Sequence, residues 1–366
     1  MSAQPEVAVI GAGVAGLACA SELARSDVTV TVLERARGLG GRLATRRRGN
    51  LAFDHGAQFI TARSRPFVRY VAVARNAGAA AAWTPSILED GHRNWDAPIE
   101  DWYVGTPGMS GIVRPLARGL MVQTGTLVHE LIRRDNSWEL ETDTGRRLGP
   151  FNAVVAAVPA AQALSLLAPH GRAFRHLISV QMAPCWSLMV SFERGPPVAS
   201  DVFRWTEGPL ALAAREGSKP GRPADRGSWV IHATPRWSRE HLEADAQEAA
   251  QLMLHSFATA VGSGLPAPAW VHAHRWRHAM VEQALGLPCL LDADIAAGAC
   301  GDWCIAPRVE AAFESGHAMA HSVLSMLGKL VPRSAAEPQP YPRQRPVIRC
   351  CSQPLGWWLL QRANPA

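Results

Sequence analysis

Lysine is nearly absent from this chain of 366 residues: Lys219 and Lys329 are the only two, and arginine supplies the rest of its 37 basic residues. The formal net charge is +6, and residues 331–366 carry +4 of it, from five arginines and one glutamate. The remaining chain has one dense basic run, Arg46–Arg48. So little clustered positive charge argues against a nucleic-acid-binding protein. The run is either a solvated turn or a positive rim that attracts an anionic dinucleotide substrate.

Long apolar runs and paired cysteines are missing as well. No stretch of about 18 uninterrupted apolar residues occurs, which argues against a membrane span, and the N-terminus lacks the basic segment of a signal peptide. We therefore expect a cytoplasmic protein without membrane association. The seven cysteines form no Cys-x-x-Cys pair, so the sequence predicts neither a metal site nor a disulfide framework.

The composition that remains fits a folded enzyme, with 48% apolar and 19% charged residues. Residues 6–10 have the pattern of a buried strand, a Gly-x-Gly-x-x-Gly turn then leads into a helix, and a second strand ends at Glu34. In this dinucleotide-binding fingerprint Gly11 permits the tight turn, Gly13 lets the backbone approach a pyrophosphate, and Gly16 lets the helix pack on the sheet. Glu34 has the spacing expected for an acid that binds a ribose diol.

A second glycine motif, Gly40-Gly41-Arg42, follows Glu34. Two glycines and a fixed cation suit another loop over the same pyrophosphate, with Arg42 as a charged donor. With Asp54-His55-Gly56-Ala57-Gln58 and Gly301-Asp302-Trp303-Cys304, the chain resembles the FAD-dependent amine oxidase superfamily, in which Gly-Gly-Arg and late Gly-Asp motifs hold the flavin. It is most similar to the renalase branch. The further segments that it shares with renalases are 107–110, 229–234, 274–276 and 308–310.

The resemblance implies noncovalent FAD and a set of site residues. In renalases the histidine that matches His232 lines the flavin pocket, so His232 is the expected catalytic residue, although an apolar strand can equally hold a core histidine. Trp186 and Trp276 either stack on a flat substrate ring or belong to the core. Lys219 either contacts a substrate phosphate or caps its loop. The expected cofactor-binding residues are Gly11, Gly13, Gly16, Glu34, Arg35, Gly40, Gly41, Arg42, Gly56, Ala57, Gln58, Val128, Gly301, Asp302, Val309 and Glu310.

The expected fold class is α/β, with a Rossmann-type FAD-binding domain of the amine-oxidase kind. An α+β substrate domain, built on a mixed or antiparallel sheet, is interleaved with it. The last segment contains seven prolines and lies outside the resemblance, so we expect it to be disordered. The predicted ranges are 1–60, 116–159 and 299–330 for the FAD-binding domain, 61–115 and 160–298 for the substrate domain, and 331–366 for the Pro- and Arg-rich tail.

Local patterns predict individual elements. Thr126–Arg133 and Trp138–Thr142 flank Asp135-Asn136 and predict a hairpin. Apolar spacings of three and four predict a helix over 239–260, and glycine and proline predict a mobile loop over a site at 208–227. The last helix is expected to begin within 304–312 with Pro307 in its first position, where one amide donor is lost. Ala306, Pro307, Ala311 and Glu216 depart from the renalase pattern.

The resemblance implies an oxidase for misreduced dihydronicotinamides. Renalases oxidise the 2- and 6-dihydro isomers of NAD(P)H to NAD(P)⁺ by hydride transfer to flavin N5, and dioxygen then reoxidises the flavin to give hydrogen peroxide. The expected partners are therefore a small dinucleotide substrate and O₂, with the oligomeric state left open.

Two alternatives remain at this point. One is a FAD-dependent amine oxidase or desaturase that acts on an apolar substrate, and the other is a flavin-binding protein without turnover. Amine oxidases usually place a lysine on the substrate-domain strand facing flavin N5, and the matching segment 181–187 has none. Three tyrosines in the whole chain are also few for the paired tyrosine cage that binds an amine.

Overall fold

The computed structural model describes residues 4–93, 100–224, 227–262 and 264–329, so the predicted tail at 331–366 lies outside the described residues. Among these residues, none of the helices is both long and apolar enough to cross a membrane. The helices are α1 Val14–Ala24, α2 Arg65–Asn76, α3 Arg114–Ala117, α4 Ala160–Leu167, α5 Pro235–Glu240, α6 Ala246–Val261 and α7 Val309–Met326. The strands are β1 Glu6–Ile10, β2 Thr29–Glu34, β3 Thr45–Arg48, β4 Leu51–Asp54, β5 Ala80–Trp83, β6 Ile87–Glu89, β7 His92–Arg93, β8 Trp102–Gly105, β9 Met121–Thr124, β10 Val128–Arg134, β11 Ser137–Thr142, β12 Arg147–Phe151, β13 Ala153–Ala156, β14 Gln181–Phe192, β15 Val202–Arg204, β16 Leu210–Arg215, β17 Ser228–Ala233, β18 Pro268–Gln283, β19 Leu290–Asp292 and β20 Ala297–Ala299.

A six-stranded sheet carries the N-terminal βαβ unit. Its strand order is β19-β20-β13-β1-β2-β9, and all neighbouring pairs except β19–β20 are parallel. Residues Val7 to Ile10 of β1 are all buried, as expected for a strand that is covered on both faces. Apolar residues of α1 and α7 join Val7 and Val9 in one core. The predicted Rossmann-type sheet is therefore confirmed.

A second, seven-stranded sheet has the order β18-β14-β17-β16-β15-β6-β7. Its pairs are antiparallel except β15–β6, which confirms the mixed sheet predicted for the second part of the fold. Helix α6 packs on this sheet, and its Met253 and Phe257 share a core with Trp229. A smaller antiparallel sheet, β10-β11-β12, contains the predicted hairpin.

Two local predictions need correction. The helix predicted over 239–260 is two helices, because α5 ends at Glu240 and α6 begins after Asp245, whose carboxylate accepts a hydrogen bond from the amide of Gln247. An N-cap aspartate of this kind starts a new helix. The loop predicted at 208–227 contains β16, which pairs with both β15 and β17 and is largely buried. The flanking glycines and prolines conceal this short apolar strand.

Candidate active site

Three glycines shape the turn between β1 and α1. Gly11 has a φ of +106°, and a Cβ on it would lie 2.5 Å from the carbonyl oxygen of Ala157. A Cβ on Gly16 would lie 1.9 Å from the carbonyl oxygen of Gly11, so the helix is too close to the turn for any side chain. Among the described atoms, nothing lies within 4 Å of the Cβ position of Gly13, and no side chain caps α1. The first amides of α1 therefore face an open cradle, which fits a pyrophosphate.

The second glycine motif lies beside this cradle. Gly40 and Gly41 both have positive φ, +107° and +55°, and a Cβ on Gly41 would lie 3.5 Å from Cα of Gly13. The amide of Gly40 donates to the carbonyl of Ala12 at 2.9 Å. The two loops thus form adjoining walls, and larger residues at these positions would narrow the space between them.

Glu34 ends β2 with a buried carboxylate beside the turn. One carboxylate oxygen accepts a hydrogen bond from the amide of Ala12 and the other from the amide of Ala36, both at 2.8 Å. These two bonds hold the carboxylate at the edge of the cradle, a position that fits a ribose acid. Val128 is buried at the start of β10, whereas Arg35 is exposed.

Arg42 and Asp302 form a bidentate ion pair with N–O distances of 2.8 and 2.5 Å. The Asp302 carboxylate is buried and needs such a partner, and Arg42 also donates to the carbonyl of Ala279 at 3.1 Å. Both residues are predicted cofactor ligands, and the structure joins them in one ion pair. The pair ties the second glycine loop to the segment after β20, where the amide of Gly301 donates to the hydroxyl of Ser315 at 3.0 Å.

A cavity of about 990 Å³, counted with its open mouth, is lined by strands of the seven-stranded sheet, by Arg42 and by the segment that leads into α7. The loop after β4 contributes residues 55–61, including Gly56, Ala57 and Gln58, and α7 contributes Val309. The close approach of this loop requires Gly56, because a Cβ there would lie 1.9 Å from the carbonyl oxygen of Arg42. Among the described lining residues are two arginines and no aspartate or glutamate. The remaining lining comes from Arg42, Pro184, Cys185, Ala211, Leu212, His232, Ala233, Pro235, Trp276, Ala279, Met280, Pro307 and Arg308.

Three side chains that contact one another in a row form the polar wall, which is defined as His232, Gln58 and Lys219. Lys219 Nζ donates to Gln58 Oε1 at 2.9 Å, and Gln58 Nε2 lies 3.4 Å from His232 Nε2. Because an ammonium group can only donate, it holds the Gln58 oxygen on its own side and turns the amide nitrogen toward the histidine. The same nitrogen donates to the carbonyls of Asp54 and Gly56. Since a side-chain amide has two hydrogens, these two carbonyls can take both, and the approach to His232 Nε2 is a close polar contact.

Burial keeps the histidines in and beside the cavity neutral. Desolvation, reinforced by the positive charge of Lys219, lowers the pKa of His232 to about 4. Desolvation also lowers the pKa of His55 to about 3 and that of His274 to about 4. His55 stacks on Trp276 with ring centroids 5.3 Å apart, and the Trp276 indole donates to the His55 carbonyl at 2.8 Å. Neutral imidazoles and a fixed indole thus face the cavity near pH 7.

Lys219 of the polar wall also belongs to a buried ion cluster. Its Nζ lies 2.7 Å from Glu216 and 3.2 Å from Asp54, and Arg222 donates to Asp54 at 2.5 Å. Although burial alone would raise the pKa of Asp54, the two cations hold it well below its usual range, whereas burial raises the pKa of Glu216. The Lys219 side chain has no exposed surface and is not part of the cavity lining, so its position favours the alternative role within its own loop over contact with a substrate phosphate.

The two tryptophans predicted for the substrate pocket lie in different places. Trp276 lines the cavity. The indole nitrogen of Trp186 donates to the carbonyl of His241 at 2.9 Å, and its ring packs in the core beneath the seven-stranded sheet. Because neighbouring residues of a strand point to opposite faces, Cys185 takes the cavity side of β14 and Trp186 the core side. The predicted stacking of Trp186 on a substrate ring is therefore corrected.

The start of α7 also differs from the sequence prediction. Arg308 is the N-cap and Val309 the first helical residue, so Pro307 precedes the cap and removes no amide from the first turn. Glu310 is buried outside the cavity lining, and its carboxylate accepts hydrogen bonds from the amides of Arg63 and Ser64 at 2.9 and 2.6 Å. It stabilises the start of α2, and the cofactor role predicted for it does not fit this position.

Sequence reasoning assigned no site role to four residues of this region: Asp54, His55, Glu216 and Arg222. A signal for the last two exists, since Glu216, Lys219 and Arg222 recur every three residues in a segment otherwise rich in glycine and proline. Their pairing with Asp54 depends on the tertiary structure, because the partners lie in distant parts of the chain.

Comparisons with known proteins agree with this architecture. Residues 9–72 match the model of the NAD(P)-binding Rossmann-like domain, and residues 78–289 match that of the flavin containing amine oxidoreductases. The second match alone covers more than half of the chain.

Several solved structures are similar in fold. A putative protoporphyrinogen oxidase from Exiguobacterium has a TM-score of 0.71 at 14% identity, over 90% of this chain and 100% of that one. Cyclohexylamine oxidase from Brevibacterium oxydans has a TM-score of 0.68 at 13% identity, over 89% and 100%. Wild-type putrescine oxidase bound to putrescine has a TM-score of 0.67 at 12% identity, over 88% and 99%.

Proposed function

We propose that this chain, which belongs to the family of flavin containing amine oxidoreductases, is a renalase-like oxidase. As a member of that family it is an FAD-binding oxidoreductase, and the open cradle at Gly13 fits the cofactor's pyrophosphate. Its proposed substrates are the 2- and 6-dihydro isomers of NAD(P)H, which become NAD(P)⁺ while dioxygen becomes hydrogen peroxide. The nicotinamide ring loses one hydride, and one proton from solvent completes the peroxide.

The charge of the cavity lining is the observation that carries this proposal. Its described residues include the neutral His55 and His232 and no carboxylate, and the carboxylate partners of Arg42 and Arg308, Asp302 and Glu310, lie outside the lining. A dinucleotide brings anionic phosphates and an uncharged dihydronicotinamide ring, which suit such a lining. Putrescine and cyclohexylamine, the amines named for similar structures, are cations at neutral pH and would lack a counter-charge there.

The tyrosines also favour a dinucleotide over an amine as the substrate. The hydroxyl of Tyr70 donates to the carbonyl of Ile112, and that of Tyr103 donates to Asp101 at 3.1 Å. Both hydroxyls are thus engaged outside the described cavity lining. An aromatic cage for an amine therefore has no tyrosine available among the described residues, and the polar wall takes its place.

Each residue of the wall has a proposed task in this reaction. FAD, when bound, supplies hydride acceptance and the reaction with dioxygen. Trp276, held by its bond to the His55 carbonyl, offers a flat face to the nicotinamide ring. His232 stays neutral and borders the ring, while Gln58 and Lys219 hold its orientation. Removal of a hydride from carbon leaves no proton to be taken from a nitrogen, so the reaction needs no strong base beside the substrate.

The remaining assignments are proposals of the same kind. We assign contacts with FAD to the glycine turn, to Glu34 and to the Gly40–Gly41 loop, with the Arg42–Asp302 pair closing the site. The FAD-binding domain would comprise residues 1–60, 116–159 and 299–330. Because Cys300 and Cys304 are buried and desolvation raises the pKa of these thiols and of Cys185, we propose that FAD is bound noncovalently, and acid treatment should release it intact.

Anaerobic mixing of the FAD-loaded protein tests the substrate. An equilibrated pool of dihydronicotinamide dinucleotide isomers should bleach the flavin absorption rapidly, whereas ordinary 4-dihydro NADH should do so much more slowly. A ring held in one pose presents only certain carbons for hydride transfer. Rapid bleaching by putrescine or cyclohexylamine, with none by the isomer pool, would overturn the proposal in favour of an amine oxidase. Bleaching by neither would indicate a flavin-binding protein without turnover on these substrates.

A further inference from the structure

One glycine brings α1 and α7, which share a core with the six-stranded sheet, into close contact. A Cβ on Gly316 of α7 would lie 2.1 Å from the carbonyl oxygen of Ala15 in α1, so any side chain there would force the helices apart. Further along both helices the same approach brings Glu22 of α1 close to His317 and His321 of α7. These three residues are called the α1–α7 cluster here.

The α1–α7 cluster brings three possible metal ligands close together. His317 and His321 are four residues apart on one helix, so their imidazoles project from the same face. One possible ligand atom from each of the three residues lies within 4.8 Å of the others. His317 Nδ1 and Glu22 Oε2 are 3.9 Å apart, and both side chains are only partly exposed. The ring of His317 also packs on Phe313, with centroids 4.4 Å apart, which limits its freedom before any ion binds.

The ligand set suits a first-row divalent cation. Two imidazoles and one carboxylate are common zinc ligands, and three protein ligands leave a fourth position for water. In a tetrahedral site with bonds of about 2.1 Å, ligand atoms stand roughly 3.4 Å apart, so small side-chain rotations would complete the geometry. Arg25 now pairs with Glu22 at 3.2 Å and is largely exposed. Such a pair contributes little stability, so its loss opposes metal binding only weakly.

We propose that the α1–α7 cluster binds one Zn²⁺ ion, which joins the two helices outside the cavity lining. The absence of zinc spacing among the cysteines does not bear on this site, because its ligands are histidines and a glutamate. The His-x-x-x-His pair is visible in the sequence, but the glutamate that completes it lies at the other end of the chain. The proposal is independent of the substrate, since all three residues lie outside the cavity lining.

Calorimetric titration of the FAD-loaded full chain with ZnCl₂ tests the site. The protein should carry Cys350→Ser and Cys351→Ser, because adjacent thiols can also bind zinc. The buffer pH should exceed the ordinary imidazole pKa of about 6.5, because zinc binds neutral imidazole. We expect saturable binding of one ion per chain. His321→Ala and Glu22→Gln should each weaken binding at least about tenfold, and Zn²⁺ should raise the unfolding midpoint of the parent but not of these variants.

The matched control is His255→Ala, which removes an exposed imidazole from α6 and should leave zinc affinity unchanged. A second group of possible ligands, His129, Glu130 and Glu141, is intact in every variant. Zinc binding that persists in His321→Ala and Glu22→Gln would therefore come from outside the cluster. Flavin absorption confirms that each variant is folded. The proposal is overturned if the parent shows no saturable binding, or if His321→Ala and Glu22→Gln bind zinc as tightly as the His255→Ala control.

Discussion

The glycine turn and the buried ion cluster border the same site, yet opposite kinds of contact build them. The turn is made by residues close together in the chain, and its limits are set by space, as the 1.9 Å at Gly16 illustrates. The ion cluster joins Asp54 to Glu216, Lys219 and Arg222, and its limits are set by charge. Adding a Cβ where the turn has no space, as at Gly16, should therefore destabilise the turn. Removing one charge should destabilise the cluster.

The largest expected effect is in the ion cluster. Lys219→Met should lower the free energy of unfolding by about 3–5 kcal/mol, because it leaves buried carboxylates short of a cation. Chemical denaturation measures this loss. Lys329→Met, a change of the only other lysine, should stay within about 0.5 kcal/mol of the parent. Equal effects of the two substitutions would show that the cluster is not held by charge. Adding Glu216→Gln to Lys219→Met should recover part of the loss.

A pair of glycine substitutions tests the spatial limit of the turn. Gly16→Ala should lower the free energy of unfolding by about 3 kcal/mol through overpacking, although alanine normally favours a helix. Gly13→Ala should leave stability within about 0.5 kcal/mol but weaken FAD binding, because its Cβ enters the cradle that the protein itself leaves open. Denaturation of the apoprotein and flavin content after purification measure the two effects. A Gly13→Ala protein with full FAD affinity would contradict the position of the pyrophosphate.

Glu34 combines the spatial and the charge contacts, because its carboxylate is held by backbone amides at the glycine turn. Glu34→Ala should weaken FAD binding by about 1.5–3 kcal/mol, the range for loss of a hydrogen-bonded charged partner. A fluorescence titration of the apoprotein with FAD gives the affinity directly. Glu139→Ala, on an exposed pair with Arg134, is the control and should bind FAD normally. Unchanged affinity in Glu34→Ala would remove Glu34 from the cofactor site.

The smallest effect at neutral pH concerns the cavity histidines. The unfolded chain takes up a proton on each near pH 6.5, whereas His232 and His274 do so only near pH 4 and His55 near pH 3 in the folded state. The unfolded state therefore binds more protons below pH 6.5, and stability should fall between about pH 6.5 and 4. Each histidine adds at most about 1.4 kcal/mol per pH unit. Denaturation at several pH values should give a shallower decline for His232→Gln, and an identical decline would refute the neutral-histidine interpretation.

The Rossmann-type sheet was predictable because its signals are local. The glycine turn, the apolar β1 strand and Glu34 lie within one βαβ unit, so backbone conformation and hydrophobic burial act over short separations. Predictions that depended on side-chain surroundings were less successful. Lys219 is a candidate phosphate ligand, yet it is buried and paired with Asp54 and Glu216. Trp186 and Trp276 both lie on strands of the same sheet, but only Trp276 is on the face that meets the cavity. Asp245 divides the helix predicted over 239–260, because its carboxylate caps the start of a new helix.

By itself the sequence determined the positions at which the backbone must turn or approach closely. Glycines at 11, 16 and 56 are required wherever those contacts form, because no other residue lacks a Cβ. The tertiary structure decided which charges would neutralise one another. Electrostatic pairing in a low-dielectric interior depends on distances between atoms, and separation along the chain does not reveal those distances. The pairing of Arg42 with Asp302, the enclosure of Lys219 and the approach of Glu22 to His317 and His321 therefore emerged only when distant segments were packed together.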